Sequence, residues 1–174
     1  MASSDIPRVP SRAPRPARRR TLAAVGLLAV LVLAPLAWYL LSPLFLDRRA
    51  QEDPAAATGT VIGRGTFGAI DAIHKGEGEA IIMRLPDGRH SLRFERFRVT
   101  NGPDLYVYLS GHPAPRSAAQ LHETGDLEVA VLKGNVGDQA YELPDGFDPA
   151  RFKAAVIYCK RFTTVFSTAE LRPA

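Results

Sequence analysis

Residues 22–46 read LAAVGLLAVLVLAPLAWYLLSPLFL, a run without a single charged side chain. At 1.5 Å per residue, its first twenty residues make a helix about 30 Å long, the thickness of a bilayer's hydrocarbon core. Core helices of soluble proteins rarely stay uncharged for so long. Trp38 and Tyr39 fall near the far end, where amphipathic rings favour the headgroup boundary. Pro35 is tolerated in a membrane helix and can kink it. A cleaved signal sequence has a shorter apolar core, roughly 7–15 residues, closed by small residues, and Ala55-Ala56-Ala57 lies well beyond this run. The expectation is an uncleaved transmembrane helix over residues 21–46.

Charge sets the expected orientation. Six arginines (Arg8, Arg12, Arg15, Arg18, Arg19, Arg20) precede the run against one acid, Asp5, whereas Asp47, Arg48 and Arg49 after it sum to +1. The positive-inside rule then places the N-terminus in the cytoplasm and the rest outside, as a single-pass protein of the cell membrane. Residues 1–20, rich in Pro, Ser, Ala and Arg, are expected to be a disordered cytoplasmic arm whose arginines attract anionic lipid. Residues 47–58, ending in QEDPAAAT, read as a polar, Ala-rich linker. The formal charge of +4 resides in the arm: the other residues carry 16 Lys and Arg against 17 Asp and Glu. A nucleic-acid partner needs a basic face on the folded domain, so the lipid membrane is the expected partner and nucleic acid is not.

Residues 59–174 change character, to short apolar runs bounded by Gly, Pro, Asn and Asp. AIIMRL is followed by Pro86-Asp87-Gly88, which suits a tight turn. HSLRFERF then alternates, with Leu92 and Phe94 on one face. Asn101-Gly102-Pro103-Asp104 is a second turn before LYVYLS. LEVAVL alternates again, and the last runs are residues 154–162 and 164–166. Such frequent turns, without a long helical period, predict an all-β domain, an antiparallel β-sandwich or barrel-like fold. One helical turn is expected, at Pro149 with Asp148 as N-cap.

Several motifs fail on context. Gly63-Arg64-Gly65-Thr66-Phe67-Gly68 matches GxGxxG, but Gly76, Gly78, Pro86 and Gly88 break any helix that should follow it. The glycines fit a bulge or turn around Phe67 in an edge strand. His74, His90, His112 and His122 lack metal-ligand spacing, so no metal site is expected. No GxSxG is present. The chain does not read as a classical enzyme.

Cys159 is the only cysteine. It excludes an intramolecular disulfide, a CxxC pair, a four-cysteine cluster and CxxCH haem attachment. A thiol after an apolar β-branched run is either a small buried hydrophobe or a reactive group held by nearby positive charge. Strand alternation puts Arg161 on the same face as Cys159, which leaves both readings open, with an intermolecular disulfide as the third.

In this order the residues carry a resemblance. A GxF strand at Gly65 to Phe67 is followed by Asp71 and His74, LPDGRHSLRFERF, TNGPDLYVYLS, LKGNVGDQAYELP and VIYCKRFTTVFSTAEL. Over residues 65–171 the chain resembles the DM13 domain family, departing from it at Glu128-Val129-Ala130, where a Gly-Pro step is expected. The resemblance implies a β-rich module of membrane and matrix proteins, with electron transfer through its cysteine as free thiol or as ligand to a prosthetic group such as haem. Cys159 is then the redox residue, Cys159 and His74 are the cofactor-binding residues, Arg161 and His74 hold a functional sulfur as thiolate, and a redox protein is the partner. The alternative is a non-catalytic domain that binds a cell-surface ligand, in which Cys159 only packs.

Overall fold

The structure, a computed structural model, describes residues 16–41, 47–52 and 58–174. Residues 1–15 of the expected arm, 42–46 of the expected span and 53–57 of the expected linker lie outside them. The chain forms two compact units that divide after Ser42.

The first unit contains helix α1, Pro16–Leu41, so residues 16–20 of the expected arm are its first turns. Within it, Leu22–Tyr39 has a mean hydropathy of 2.2 and no buried residue. Leu27, Leu28, Val30 and Leu31 are all more than half exposed, so this stretch of the helix is apolar all round. By length and composition it is able to cross a membrane.

The second unit is an antiparallel β-barrel, almost closed. Its strands are β1 (Thr60–Ala69), β2 (Gly76–Arg84), β3 (His90–Val99), β4 (Leu105–Ser110), β5 (Asp126–Val131), β6 (Gln139–Glu142), β7 (Ala154–Cys159), β8 (Thr164–Glu170) and β9 (Arg172–Pro173). They run in the order β5-β4-β7-β8-β1-β2-β3-β6, with β9 beside β1. The edges β5 and β6 face each other, and the Lys133 amide donates across the gap to the Tyr141 hydroxyl at 3.1 Å. The strand containing Phe67 is therefore interior, not the edge strand expected: β1 lies between β2 and β8. The glycines serve that crowding. A Cβ on Gly65 would strike the Glu170 carbonyl.

Alternation builds the interior. Leu92 and Phe94 point inward with no exposure, and Phe97 and Val99 follow with 1% and 2%. The step from even to odd positions comes from a bulge, where Arg96 takes φ 50° and the register shifts opposite Gly78. Gly78, at φ 96°, allows it, because a Cβ there would sit 2.6 Å from the Glu95 and Arg96 carbonyls. Phe67, Phe94 and Phe97 then meet with ring centroids 4.9–5.0 Å apart. Burying each such side chain contributes about 1.5–3 kcal/mol.

A second, smaller cluster lies outside the barrel wall. Tyr108, Ala154, Val156, Tyr158 and Val165 pack there with Leu121, which is carried by helix α2, Ala118–Glu123. Sequence reading missed this helix. Its signal was local: Ser117 accepts from the Gln120 amide as N-cap. The expected turn at Pro149 is a 3-10 turn, Pro149–Arg151, capped by Asp148.

Strand register places four connections at one end of the barrel. Cys159 pairs with Leu105 and Thr164, Ala69 with Ser167, Gly76 with Val99, and Tyr106 with Val131. The loops 70–75, 100–104, 132–138 and 160–163 therefore share the end that holds Cys159, here called the thiol end. Residues 47–52, in the segment read as a linker, are bound along the domain as a strap. Asn135 donates to the Asp47 carboxylate and accepts from the Arg48 amide, each at 2.7 Å. Ala50 and Glu52 then donate backbone hydrogen bonds to Val136 and Asp138.

Candidate functional site

Cys159 is the last residue of β7 and has no exposure. It is a free thiol on the inward face with Ala155 and Ile157, in the main core cluster that also holds Leu105 and Phe166. Every residue of β7 is buried, because the barrel interior covers one face and the α2 cluster the other.

Arg161 does not share the face of Cys159. The strand ends at Cys159, and residues 160–163 turn back into β8, with Thr163 at φ 52° and its amide on the Lys160 carbonyl at 3.3 Å. Alternation holds only while the backbone stays extended, and the turn cancels it one residue after the thiol. Arg161 is instead exposed, together with its turn neighbours Lys160 and Phe162.

His74 lies at the same end. Its Nδ1 is 2.7 Å from Asp71 Oδ2, and the amides of Ile73 and His74 donate to Asp71 Oδ1 at 2.7 and 2.6 Å. The His74 amide, then its ring, then the Ile73 amide hold the exposed Asp71 carboxyl down to about 2. The His74 ring rests against Phe166 with centroids 4.4 Å apart, and Phe166 belongs to the cluster of Cys159. Gly102 fits closely over that layer: a Cβ there would be 2.9 Å from both Leu105 Cδ2 and Phe166 Cε1. Thiol, imidazole and carboxylate thus gather at one end of the fold, with His74 bound to Asp71.

Two groups of polar residues escaped sequence reading. On the outer face of β4 and β7, the Tyr108 hydroxyl donates to Glu128 Oε2 at 2.6 Å, and Lys160 Nζ meets the same oxygen at 2.7 Å. Burial, and then the Glu128 carboxylate, push the Tyr108 phenol up. Lys160 and then Tyr108 hold Glu128 below its ordinary range. Lys160 Nζ also sits 3.8 Å from the Tyr106 ring centroid. The second group belongs to LKGNVGDQAY. Gln139, 2% exposed, donates to the Gly134 carbonyl at 2.9 Å and accepts from the Tyr141 hydroxyl at 2.6 Å. This shapes the loop that receives the strap. Gly137, at φ 104°, has no room for a Cβ against the Ala50 carbonyl. No local pattern in residues 47–52 announces this contact, which joins positions more than eighty apart.

Among the described residues, no three His, Cys, Asp or Glu side chains converge as a metal site. Haem ligation does not fit this packing either. The sulfur is enclosed in an apolar layer without exposure, whereas an axial ligand needs an open face for the macrocycle. The cavity of about 500 Å³ bounded by Glu52, Ser91, Lys133 and Tyr141 does not include Cys159.

A family model described as Electron transfer DM13 matches residues 67–171, from Phe67 in β1 to the end of β8 and Leu171. No curated protein and no solved structure matches the chain.

Proposed function

The chain belongs to the electron transfer DM13 family, and on that footing we propose that it is a single-pass, membrane-tethered electron-transfer module whose β domain lies outside the cytoplasm and whose redox group is the free thiol of Cys159. The observation that carries this reading is the family match, because Cys159 falls inside the matched residues. Position supports it. The sulfur ends a strand beside an exposed turn, residues 160–163. The apolar stretch Leu22–Tyr39 and the six arginines that precede it support the tether and its orientation.

A lone thiol passes electrons in two ways. It gives one electron to a one-electron acceptor, such as a partner's oxidised metal centre, and its proton to water, and becomes a thiyl radical. Alternatively, it joins a partner's thiol in an S–S bond, each sulfur losing one proton and one electron to a two-electron acceptor. The second route needs in-line access of one sulfur to the other, which the enclosure of Cys159 denies while the fold is closed. The closed domain therefore fits the first route.

One observation favours a second reading. A thiol with no exposure on an apolar strand is what a purely structural cysteine looks like. The module is then a non-catalytic binding domain for a cell-surface ligand. Voltammetry of the full chain immobilised on an electrode separates the two. A wave present in the wild type and lost in Cys159→Ser, with circular dichroism unchanged, is the expected result. Equal, silent responses from both proteins overturn the redox reading. For the tether, protease added to intact cells is expected to remove the domain and spare the N-terminal arm; a protected domain reverses the orientation.

A further inference from the structure

Among the described residues, the large hydrophobic side chains left exposed outside α1 are Ile73, Val131 and Phe162, at 72%, 57% and 60%. They are far apart in sequence, yet register brings all three to the thiol end. Ile73 lies in the loop after β1. Phe162 lies in the turn that joins Cys159 to Thr164, and Val131 pairs with Tyr106 at the start of β4. The opposite end differs: its turns expose Asp87, Gly88, Asp145 and Gly146, while Leu143 and Phe147 are buried. Exposed apolar side chains confined to one end of a barrel mark a surface that is covered in use.

The path of the chain says what covers it. Asp47 is held at this same end, through Asn135 and through Arg98 at 3.6 Å. The uncharged run ends at Leu46, the residue immediately before. In sequence, only residues 42–46 stand between Leu41, the end of α1, and Asp47. The loops and strap at this end expose the cations Arg48, Arg49, Lys75 and Arg161, and also the acids Asp47 and Asp71, which are bound to Asn135 and His74. Apolar tips with arginines in the same loops suit the boundary between acyl chains and lipid headgroups.

We propose that the thiol end of the barrel rests on the bilayer, with Ile73, Val131 and Phe162 seated at the acyl boundary and Arg49 and Arg161 on lipid phosphates. This rests on the reading of residues 22–46 as a membrane span. A consequence is that an electron partner approaching Cys159 from this end must itself lie in or on the membrane.

The test is lipid quenching of single tryptophans in the full chain, reconstituted one copy per nanodisc in phosphatidylcholine and phosphatidylglycerol with brominated acyl chains. Trp38 is the only native tryptophan, and its quenching in the wild type reports the span. Phe162→Trp and Ile73→Trp, each with Trp38→Phe, report the thiol end, and Asp145→Trp with Trp38→Phe reports the opposite end. The expected result is loss of emission for the wild type and for both thiol-end variants, with Asp145→Trp unaffected. If Trp38 is quenched while the probes at positions 162 and 73 stay bright and open to aqueous iodide, the span stands and this proposal falls. Probes that stay bright in brominated lipid yet are shielded from iodide mean that protein, a second copy or a partner, covers the end, and this also overturns it. An unquenched Trp38 removes the span itself, and this proposal with it.

Discussion

The inward face of β7 presents Ala155, Ile157 and Cys159 to the barrel core, while its outward face presents Ala154, Val156 and Tyr158 to the cluster beneath α2. All six residues are buried, yet the two sides are held differently. Inside, Cys159 and its neighbours meet apolar groups, so stability there rests on filled volume. Outside, Tyr158 packs edge-on against Tyr108 at 5.6 Å, and Tyr108 is tied to Glu128 and Lys160. Beside them, His122 Nδ1 is 3.0 Å from Asp126 Oδ1. Burial alone therefore does not tell how a side chain is stabilised. One face should respond only to volume, the other to volume and pH.

The largest effect belongs to the inner face. Phe94→Ala removes a ring with no exposure that contacts Phe67, Phe97 and Tyr141, and is expected to cost about 3–5 kcal/mol. Urea denaturation should give the same loss at neutral and mildly acid pH. A loss that changed over that range would mean that a group titrating there reaches this part of the core.

Cys159→Ala comes next, at roughly 1–2 kcal/mol, the range for deleting one buried heavy atom where the site partly collapses. Cys159→Ser buries a hydroxyl in an apolar layer and should be no better than Ala. If Ser proves clearly more stable than Ala, a polar partner reaches the thiol position, and the contrast between the two faces weakens.

How far these faces were legible in the sequence depends on the range of the signal. The Pro86-Asp87-Gly88 turn and the LYVYLS strand are local patterns, and Gly88 at φ 87° and β4 match them. Leu92 and Phe94 were readable as inward, whereas Phe97 and Val99 were hidden by the bulge at Arg96, which depends on Gly78 in another strand. The face of Arg161 was misread for a similar reason, since alternation does not show where a strand stops. The strand and single thiol of the candidate site were legible, but its complete enclosure was not, because α2 and the neighbouring strands come from distant sequence. The strap was least legible of all: Asp47 and Glu52 look like linker residues until Asn135, Lys133 and Ala140 are placed beside them.

On the outer face, Tyr108→Phe keeps the ring and removes the hydrogen bond to Glu128, for an expected loss of about 1 kcal/mol at neutral pH. Its pH profile carries the contrast. The Tyr108 phenol is pushed up in the fold, so its contribution is complete below the ordinary value of 10.0 and fades as pH rises above it, where the unfolded chain ionises first. The difference between wild type and variant should therefore shrink in alkali. A difference flat through that range means the hydrogen bond is not what Tyr108 contributes.

Glu128→Gln should have the smallest effect. The amide oxygen still accepts from Tyr108, so what disappears is the charge pair with Lys160, whose side chains are 36% and 44% exposed for lysine and glutamate. Solvent screens such a pair, and about 0.2–1 kcal/mol is expected at low salt. Lys160 and then Tyr108 hold the Glu128 carboxyl below its ordinary value of 4.5. A group depressed in this way stabilises the fold above its unfolded value, and the benefit is lost as pH falls through the lower folded value. Wild type and Glu128→Gln should thus differ at neutral pH and converge as pH falls through the lowered folded value, and added salt should bring them together at neutral pH as well. If the two proteins differ equally at pH 7 and in acid, the outer face is held by packing like the inner one, and its polar network is ornament on a second apolar cluster.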